Sequence, residues 1–293
     1  MFRVYGIAGL TLVISAYIIN FLVLDFATTA LFTVGFWLFF DAIDYQMNKT
    51  SILHKIMKRH WMLLWLLLAG IFIGYTFEFF GRELAGLWII TDNPNYFELF
   101  PGILFGYGVP ILMYYSFYRV ILSLIGRRNF GIKLAGRKSE KGIMGNVSIA
   151  GAIFTIIPLL LFPALGALDP VMRGFMFGFT LLGMWFLLEH IEYRRHEKTL
   201  LMDILEGRWV QPLALAAGAV ITGLLWEASN ALNPSWTYTN LPFADVQIAG
   251  VPLAVLIGWI PLYIVYLSFY RAVFRGDRIW ETKVRKGHIR GKL

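Results

Sequence analysis

Two sets of acidic residues recur at matching places in this sequence, and they are the groups best placed to do chemistry. The first set is Glu78 and Glu227. Each lies 17 or 18 residues beyond a tryptophan that opens an apolar run, Trp61 in one case and Trp209 in the other, so roughly 26 Å along a helix at about 1.5 Å per residue. That places both carboxyls near the outer boundary of a membrane span. An ionised carboxylate there costs at least a few kcal/mol unless it is paired or faces a polar cavity. Burial favours the neutral acid, and a neutral carboxyl can act as a proton donor. Glu78 has Arg82 one turn on, at i,i+4 spacing, and Glu83 beside it, so an interfacial ion pair is the alternative to chemistry. Glu227 follows Trp226 and precedes Asn230, with no basic neighbour in sequence.

After each glutamate comes a segment rich in Trp, Pro and Asn. The first runs through Gly86, Trp88, Asp92, Asn93 and Pro94. The second runs through Asn233, Pro234, Trp236, Tyr238, Asn240, Pro242 and Phe243. Aromatic belts at membrane interfaces look like this, but these segments are too long for tight turns and occur twice. They read as lids folded over a pocket, with Asn230, Tyr238 and Asn240 as donors and Trp88 and Trp236 as walls. The second acidic set is Asp41 and Asp44 with Glu189 and Glu192, at helix C-termini, where the dipole disfavours negative charge. Neighbouring cations such as Arg194 and Arg195 are the expected partners. His54 and His60 follow the first pair, and His190 and His196 accompany the second. Glu189, Glu192 and His196 share a helical stripe, but the first set has no equivalent histidine, so no metal site is expected.

The elements that must position these groups follow from composition. The 293 residues are 58% hydrophobic, 15% charged and 17% aromatic, with a mean hydropathy of +0.65. A soluble domain carries about 25% charge, so this is a polytopic membrane protein. Eight stretches are long enough to span: 5–24, 27–44, 61–80, 101–124, 146–165, 171–193, 210–231 and 247–273. Met1 to Leu24 lacks a small-x-small cleavage site and reads as the first span rather than a signal peptide. Of the 26 Lys and Arg, 24 fall on one side of this arrangement, and only Arg82 and Arg173 fall on the other. Both termini are therefore expected in the cytoplasm of a cell (plasma) membrane protein. The net charge of +8 is then topology, and no nucleic-acid partner is needed. Sequons at Asn48 and Asn146 face the cytoplasm, where no glycan is expected. There is no cysteine, which excludes disulfides, thiolate metal sites and cysteine nucleophiles.

The sequence is also written twice. An offset of 148 aligns Gly35 and Trp37 with Gly183 and Trp185, Asp41 and Asp44 with Glu189 and Glu192, Trp61 with Trp209, and Gly70 with Gly218. With small gaps, Glu78 meets Glu227 and Trp88 meets Trp236. Ser116-Phe-Tyr-Arg119 recurs unchanged as Ser268-Phe-Tyr-Arg271. The expected fold is all-α, with two parallel four-helix repeats at 1–124 and 146–273, a basic linker at 125–145 and a basic tail at 274–293. A site would lie at the seam between the halves. Gly70/Gly74, Gly102/Gly106 and Gly174/Gly178 have the small-x-x-x-small spacing of close helix packing. Positions between the two acidic layers read as Leu, Phe, Ile and Gly.

No P-loop, dinucleotide fingerprint or Gly-x-Ser-x-Gly elbow occurs, and no cofactor is expected. Five histidines are too few for a membrane di-iron site with several His clusters. The stretch Trp226-Glu227, Asn230, Pro234-Ser-Trp236-Thr-Tyr238, Gly250-Val-Pro252-Leu and Gly258-Trp259-Ile-Pro261 resembles the integral-membrane carotenoid-modifying proteins, both the carotenoid hydratase type and the lycopene-cyclase domains. The residues that match are Glu227, Trp236, Tyr238, Gly250 and Pro252. The chain lacks the paired glutamates that follow the proline in cyclase domains, since Leu-Tyr follows Pro261, and it lacks the Pro-Phe-Gly element of the hydratases. The resemblance implies acid chemistry on an isoprenoid within the bilayer, with a glutamate protonating an alkene and aromatic faces stabilising the cation. Three readings stay open: such an enzyme, with Glu227 helped by Glu78; a proton or cation transporter with acidic residues along the seam; or a structural membrane protein.

Overall fold

The computed structural model of the chain describes residues 2–22, 27–91, 102–126, 140–161, 164, 168–195, 199–232 and 234–273. Asp25, Asp92, Asn93, Pro94, His196, Asn233, the tail and most of the linker lie outside these residues. In hydrocarbon every backbone N–H and C=O must be satisfied internally, so long apolar runs become helices. The chain forms α1 (Phe2–Leu22), α2 (Ala27–Asn48), the short α3 (Ile52–Lys58) and α4 (Trp61–Glu78). A π-helical turn, Phe79–Leu84, extends α4 towards β1 (Trp88–Ile90). A second π-helical turn, Leu104–Gly108, leads into α5 (Pro110–Ile125). Then come α6 (Glu140–Leu160), α7 (Pro170–Arg194), the short α8 (Leu200–Leu205), α9 (Val210–Leu232), β2 (Trp236–Tyr238), β3 (Gln247–Ile248), β4 (Val251–Pro252) and α10 (Leu253–Val273).

Among the described residues, seven helices are long and apolar enough to cross a membrane: Phe2–Asn20, Trp61–Leu84, Leu104–Ile125, Gly142–Leu160, Pro170–Arg194, Val210–Ala231 and Leu253–Ala272. This is the pattern of a multi-pass helical membrane protein. The remaining expected span, 27–44, lies in α2, a helix of 22 residues that is not among those seven. The last expected span starts late, at Leu253, because 247–252 form a two-stranded hairpin turned by Gly250 at φ 80°.

α5 and α10 stand at the centre. α2 packs on α5 and α7 on α10, while α5 also meets α9, and α10 also meets α4. α1 and α6 lie outside, each against the helix that follows it. Those outer pairs cross where glycine backbones touch. A Cβ on Gly9 would stand 2.7 Å from the Gly35 carbonyl, and one on Gly183 would stand 2.9 Å from the Gly151 carbonyl. Of the six glycines at small-x-x-x-small spacing, Gly70 and Gly74 do pack tightly, on Tyr107 and Gly108, whereas Gly106 and Gly178 face open space.

The second acidic set closes the end of the bundle where most basic residues gather, here the basic end. Asp41, Asp44, Glu189 and Glu192 are all buried. Their partners differ from the expected Arg194 and Arg195, which lie at the helix end while the carboxyls point inward. Arg119 Nε donates to Asp44 Oδ2 at 2.5 Å, and both side chains are fully buried. Asn48 donates to the other Asp44 oxygen at 2.8 Å. Arg271 pairs with Glu192 at 3.9 Å. Asp41 accepts from Ser51 Oγ at 2.6 Å and from Leu53 N at 3.0 Å, so it tethers the start of α3. Glu189 accepts from Leu200 N at 3.0 Å and Leu201 N at 3.1 Å, tethering α8 in the same manner. Ser116 and Ser268 complete the two clusters, each 3.5 Å from Asp41 or Glu189. The unchanged Ser-Phe-Tyr-Arg motif thus reads a pair of acids three residues apart, once on α2 and once on α7. No group of three His, Asp or Glu fit for a metal ion occurs among the described residues.

Removing one member of a buried pair strands the other charge. Asp44→Ala is expected to destabilise the protein by about 3–5 kcal/mol, and Asp44→Leu with Arg119→Met to recover most of that loss. Thermal unfolding in detergent micelles, comparing the single and double variants, measures the difference.

Candidate functional site

The opposite end of the bundle carries the first acidic set. There β1 and β2 pair antiparallel, with Trp88 opposite Tyr238, Ile89 opposite Thr237 and Ile90 opposite Trp236. The two outer segments therefore meet directly, although they are far apart in the chain. Tyr238 Oη donates to Glu227 Oε1 at 2.6 Å, and Trp236 Nε1 donates to Tyr238 Oη at 3.2 Å. The indoles of Trp236 and Trp259 also act on the Glu227 carboxyl. Across the pair, Trp88 Nε1 donates to Glu78 Oε2 at 3.2 Å. Arg82 lies 3.5 Å from the same oxygen, and Tyr107 also bonds the Glu78 carboxyl. Each glutamate is thus held by an aromatic donor from the strand that follows its helix, and those donors, Trp88 and Tyr238, are cross-strand partners. Tyr238 feels the charge of both carboxyls, Glu227 more strongly. Its burial, then Glu227, hold the phenol well above its ordinary pKa, so it remains a donor at neutral pH.

Local sequence explains this arrangement. The π-helical turn after Glu78 brings the chain back sharply, and Trp88 lays its ring on Gly81, where a Cβ would clash at 1.9 Å. Asn230 shapes the second segment. Its Oδ1 accepts from Ser235 N at 2.9 Å and Trp236 N at 3.2 Å, while its Nδ2 donates to Trp236 O at 3.0 Å. Asn240 Nδ2 donates to Gly86 O at 2.7 Å, and Thr239 Oγ1 shares that acceptor at 2.8 Å. Both asparagines expected to contact substrate are therefore engaged in building the strand pair.

The two glutamates differ. Glu227 is 5% exposed and no salt bridge reaches it among the described residues, whereas Glu78 keeps Arg82. Around Glu227 the rings of Trp226, Trp236 and Trp259 gather, Trp226 standing 6.1 Å from each of the other two. Beside Trp226 is a void of about 10 Å³ lined by Phe32, Thr33, Met113, Thr222 and Ser229 among others, room for about one water.

Between the two acidic layers the centre is not the plain Leu, Phe, Ile and Gly expected. Tyr114 of α5 lies 4.6 Å from Tyr263 and 5.2 Å from Tyr266 of α10, ring to ring, and 5.7 Å from Trp259. Tyr115 donates to the Tyr266 carbonyl, and the Thr222 and Tyr263 hydroxyls bond each other. Sequence reasoning missed these tyrosines and Trp259. One signal was present: the offset that superposes the Ser-Phe-Tyr-Arg motifs also aligns Tyr114 with Tyr266. Comparison with protein families, curated proteins and solved structures returns no match for this chain.

Asn230→Ala removes three hydrogen bonds that fix the second strand. The expected result is a loss of about 1–3 kcal/mol and faster amide exchange at 236–238, with exchange in α5 unchanged. Hydrogen exchange read by mass spectrometry checks this.

Proposed function

We propose that this chain is an integral-membrane enzyme that modifies an isoprenoid or other apolar lipid by acid chemistry, with Glu227 as the proton donor. One observation carries the reading. Glu227 is a buried carboxyl without a cationic partner among the described residues, accepting a hydrogen bond from Tyr238 and walled by three tryptophans. In the step this suits, the Glu227 O–H bond breaks and its proton adds to one carbon of a substrate C=C bond. The positive charge appears on the other carbon, against indole faces. The carboxylate left behind keeps the Tyr238 hydrogen bond. Loss of a proton from a neighbouring carbon back to Glu227 closes the cycle. Glu78, neutralised by Arg82, serves as a fixed negative charge near the same strand pair.

The reading includes a topology of eight spans, α2 among them, in two parallel four-helix repeats with both termini in the cytoplasm of the cell membrane. The matched acid–Ser–Arg clusters, the two glycine crossings and the reciprocal packing of α5 on α9 and α10 on α4 support the repeats. The distribution of 24 basic residues supports the orientation. The pairing of β1 with β2 supports a site shared by Glu78 and Glu227 at the seam. A lipid chain must part the helices or lift the strands to reach Glu227, because the void beside Trp226 holds about one water.

Glu227→Gln tests the reading. Expected is a loss of conversion of a polyene or isoprenoid lipid by about 10²–10⁴-fold with unchanged assembly, and a smaller loss for Glu78→Gln. The lipid that co-purifies is identified by mass spectrometry and supplied as substrate. Unchanged conversion would remove Glu227 from the chemistry, and lost proton flux in liposomes would favour a transporter instead.

A further inference from the structure

A second site lies at the other end of the bundle and is independent of the acid chemistry above. Phe2, Arg3, Tyr45, Gln46 and Lys49 line a cleft of about 420 Å³ between the start of α1 and the end of α2. That lies within the range of about 300–1,000 Å³ that holds a small ligand. Its floor is aromatic, with the Phe2 and Tyr45 rings stacked and His54 5.3 Å from Tyr45. Arg3 and Lys49 are exposed at its rim. The carboxylates that precede the cleft on α2, Asp41 and Asp44, are turned inward and held by Ser51, Leu53, Asn48 and Arg119. Lys49 also has a left-handed backbone at φ 56°, a conformation glycine or asparagine adopts more easily.

The cleft opens onto a ridge. Directly along α1 from Arg3 run Val4, Ile7, Leu10, Ile14 and Ile18, all exposed large apolar side chains on one face of a membrane helix. A ligand with an anionic head in the cleft and alkyl chains along that ridge satisfies both surfaces at once. We infer that this cleft binds the phosphate-bearing headgroup of an anionic phospholipid, held by Arg3 and Lys49 over the stacked Phe2 and Tyr45 rings. Each cation attracts such a headgroup at the membrane surface.

The full chain in micelles doped with equal phosphatidylglycerol and phosphatidylcholine, read by native mass spectrometry, tests this. Arg3→Gln with Lys49→Gln is expected to lower retained phosphatidylglycerol by about tenfold while phosphatidylcholine is unchanged. Lys58→Gln with Arg194→Gln removes the same charge elsewhere on the basic end and is expected to retain phosphatidylglycerol as the parent does. Equal retention by the cleft variant, an equal loss in the control variant, or displacement of the lipid by inorganic phosphate alone would each overturn the site. All four residues are exposed, so both variants are expected to fold, and an unchanged melting temperature confirms it.

Discussion

A guanidinium buried beside a carboxylate fixes how this bundle closes. Arg119 and Asp44 are both fully out of water, and taking either charge there alone would cost several kcal/mol. They are stable only together, with Asn48 and the Thr50 carbonyl satisfying what remains. Such a pair adds little net stability over a well-packed apolar contact. What it does add is register. Sliding α5 along α2 by one turn would leave two charges unpaired in a low-dielectric interior, whereas sliding leucine past leucine would cost far less. Arg271 and Glu192 impose the same condition on α10 and α7.

That register reaches the far end of the molecule. Trp259 stands twelve residues before Arg271 on α10, about 18 Å along a helix. Pinning Arg271 at the basic end therefore sets the height at which Trp259 meets Glu227 and Tyr114 meets Trp259. The tyrosines between them make the contact rigid, since their rings fill the seam and Tyr115 and Tyr263 each find a hydrogen-bond partner there. The acid tethers of α3 and α8 close the same end against water. The surroundings of the Glu227 carboxyl are thus held from the opposite end of the bundle.

What was legible in the sequence was what depends on composition and recurrence. The long helices follow from apolar runs, α2 included, whose two aspartates sit near its C-terminal end. Both acidic sets were found because they occur twice at one offset. Their partners were not, because Arg119 and Arg271 lie far from Asp44 and Glu192 in sequence, and local spacing favoured Arg194 and Arg195. Asn230 and Asn240 look like substrate donors in sequence because nothing there shows that Asn230 ties its own turn to Trp236, or that Asn240 meets Gly86 from the other segment. The tyrosine seam stayed hidden because a tyrosine in an apolar run reads as one more large side chain. Its hydroxyl matters only when a carbonyl or threonine faces it.

The pairing of Trp88–Ile90 with Trp236–Tyr238 has a consequence for how the protein is made. A nascent chain emerges from its first residue onward, so the first strand waits, without its partner, while the rest of the bundle is synthesised. Until Tyr238 arrives, Trp88 has no strand opposite it, and Glu227 lacks the phenol that bonds it. The strand pair and the Tyr238–Glu227 hydrogen bond therefore form only late in synthesis, and Trp259 and the Arg271–Glu192 pair follow later still. A chain halted after its first half would hold Glu78 and Arg82 but neither β2 nor the carboxyl that Tyr238 bonds.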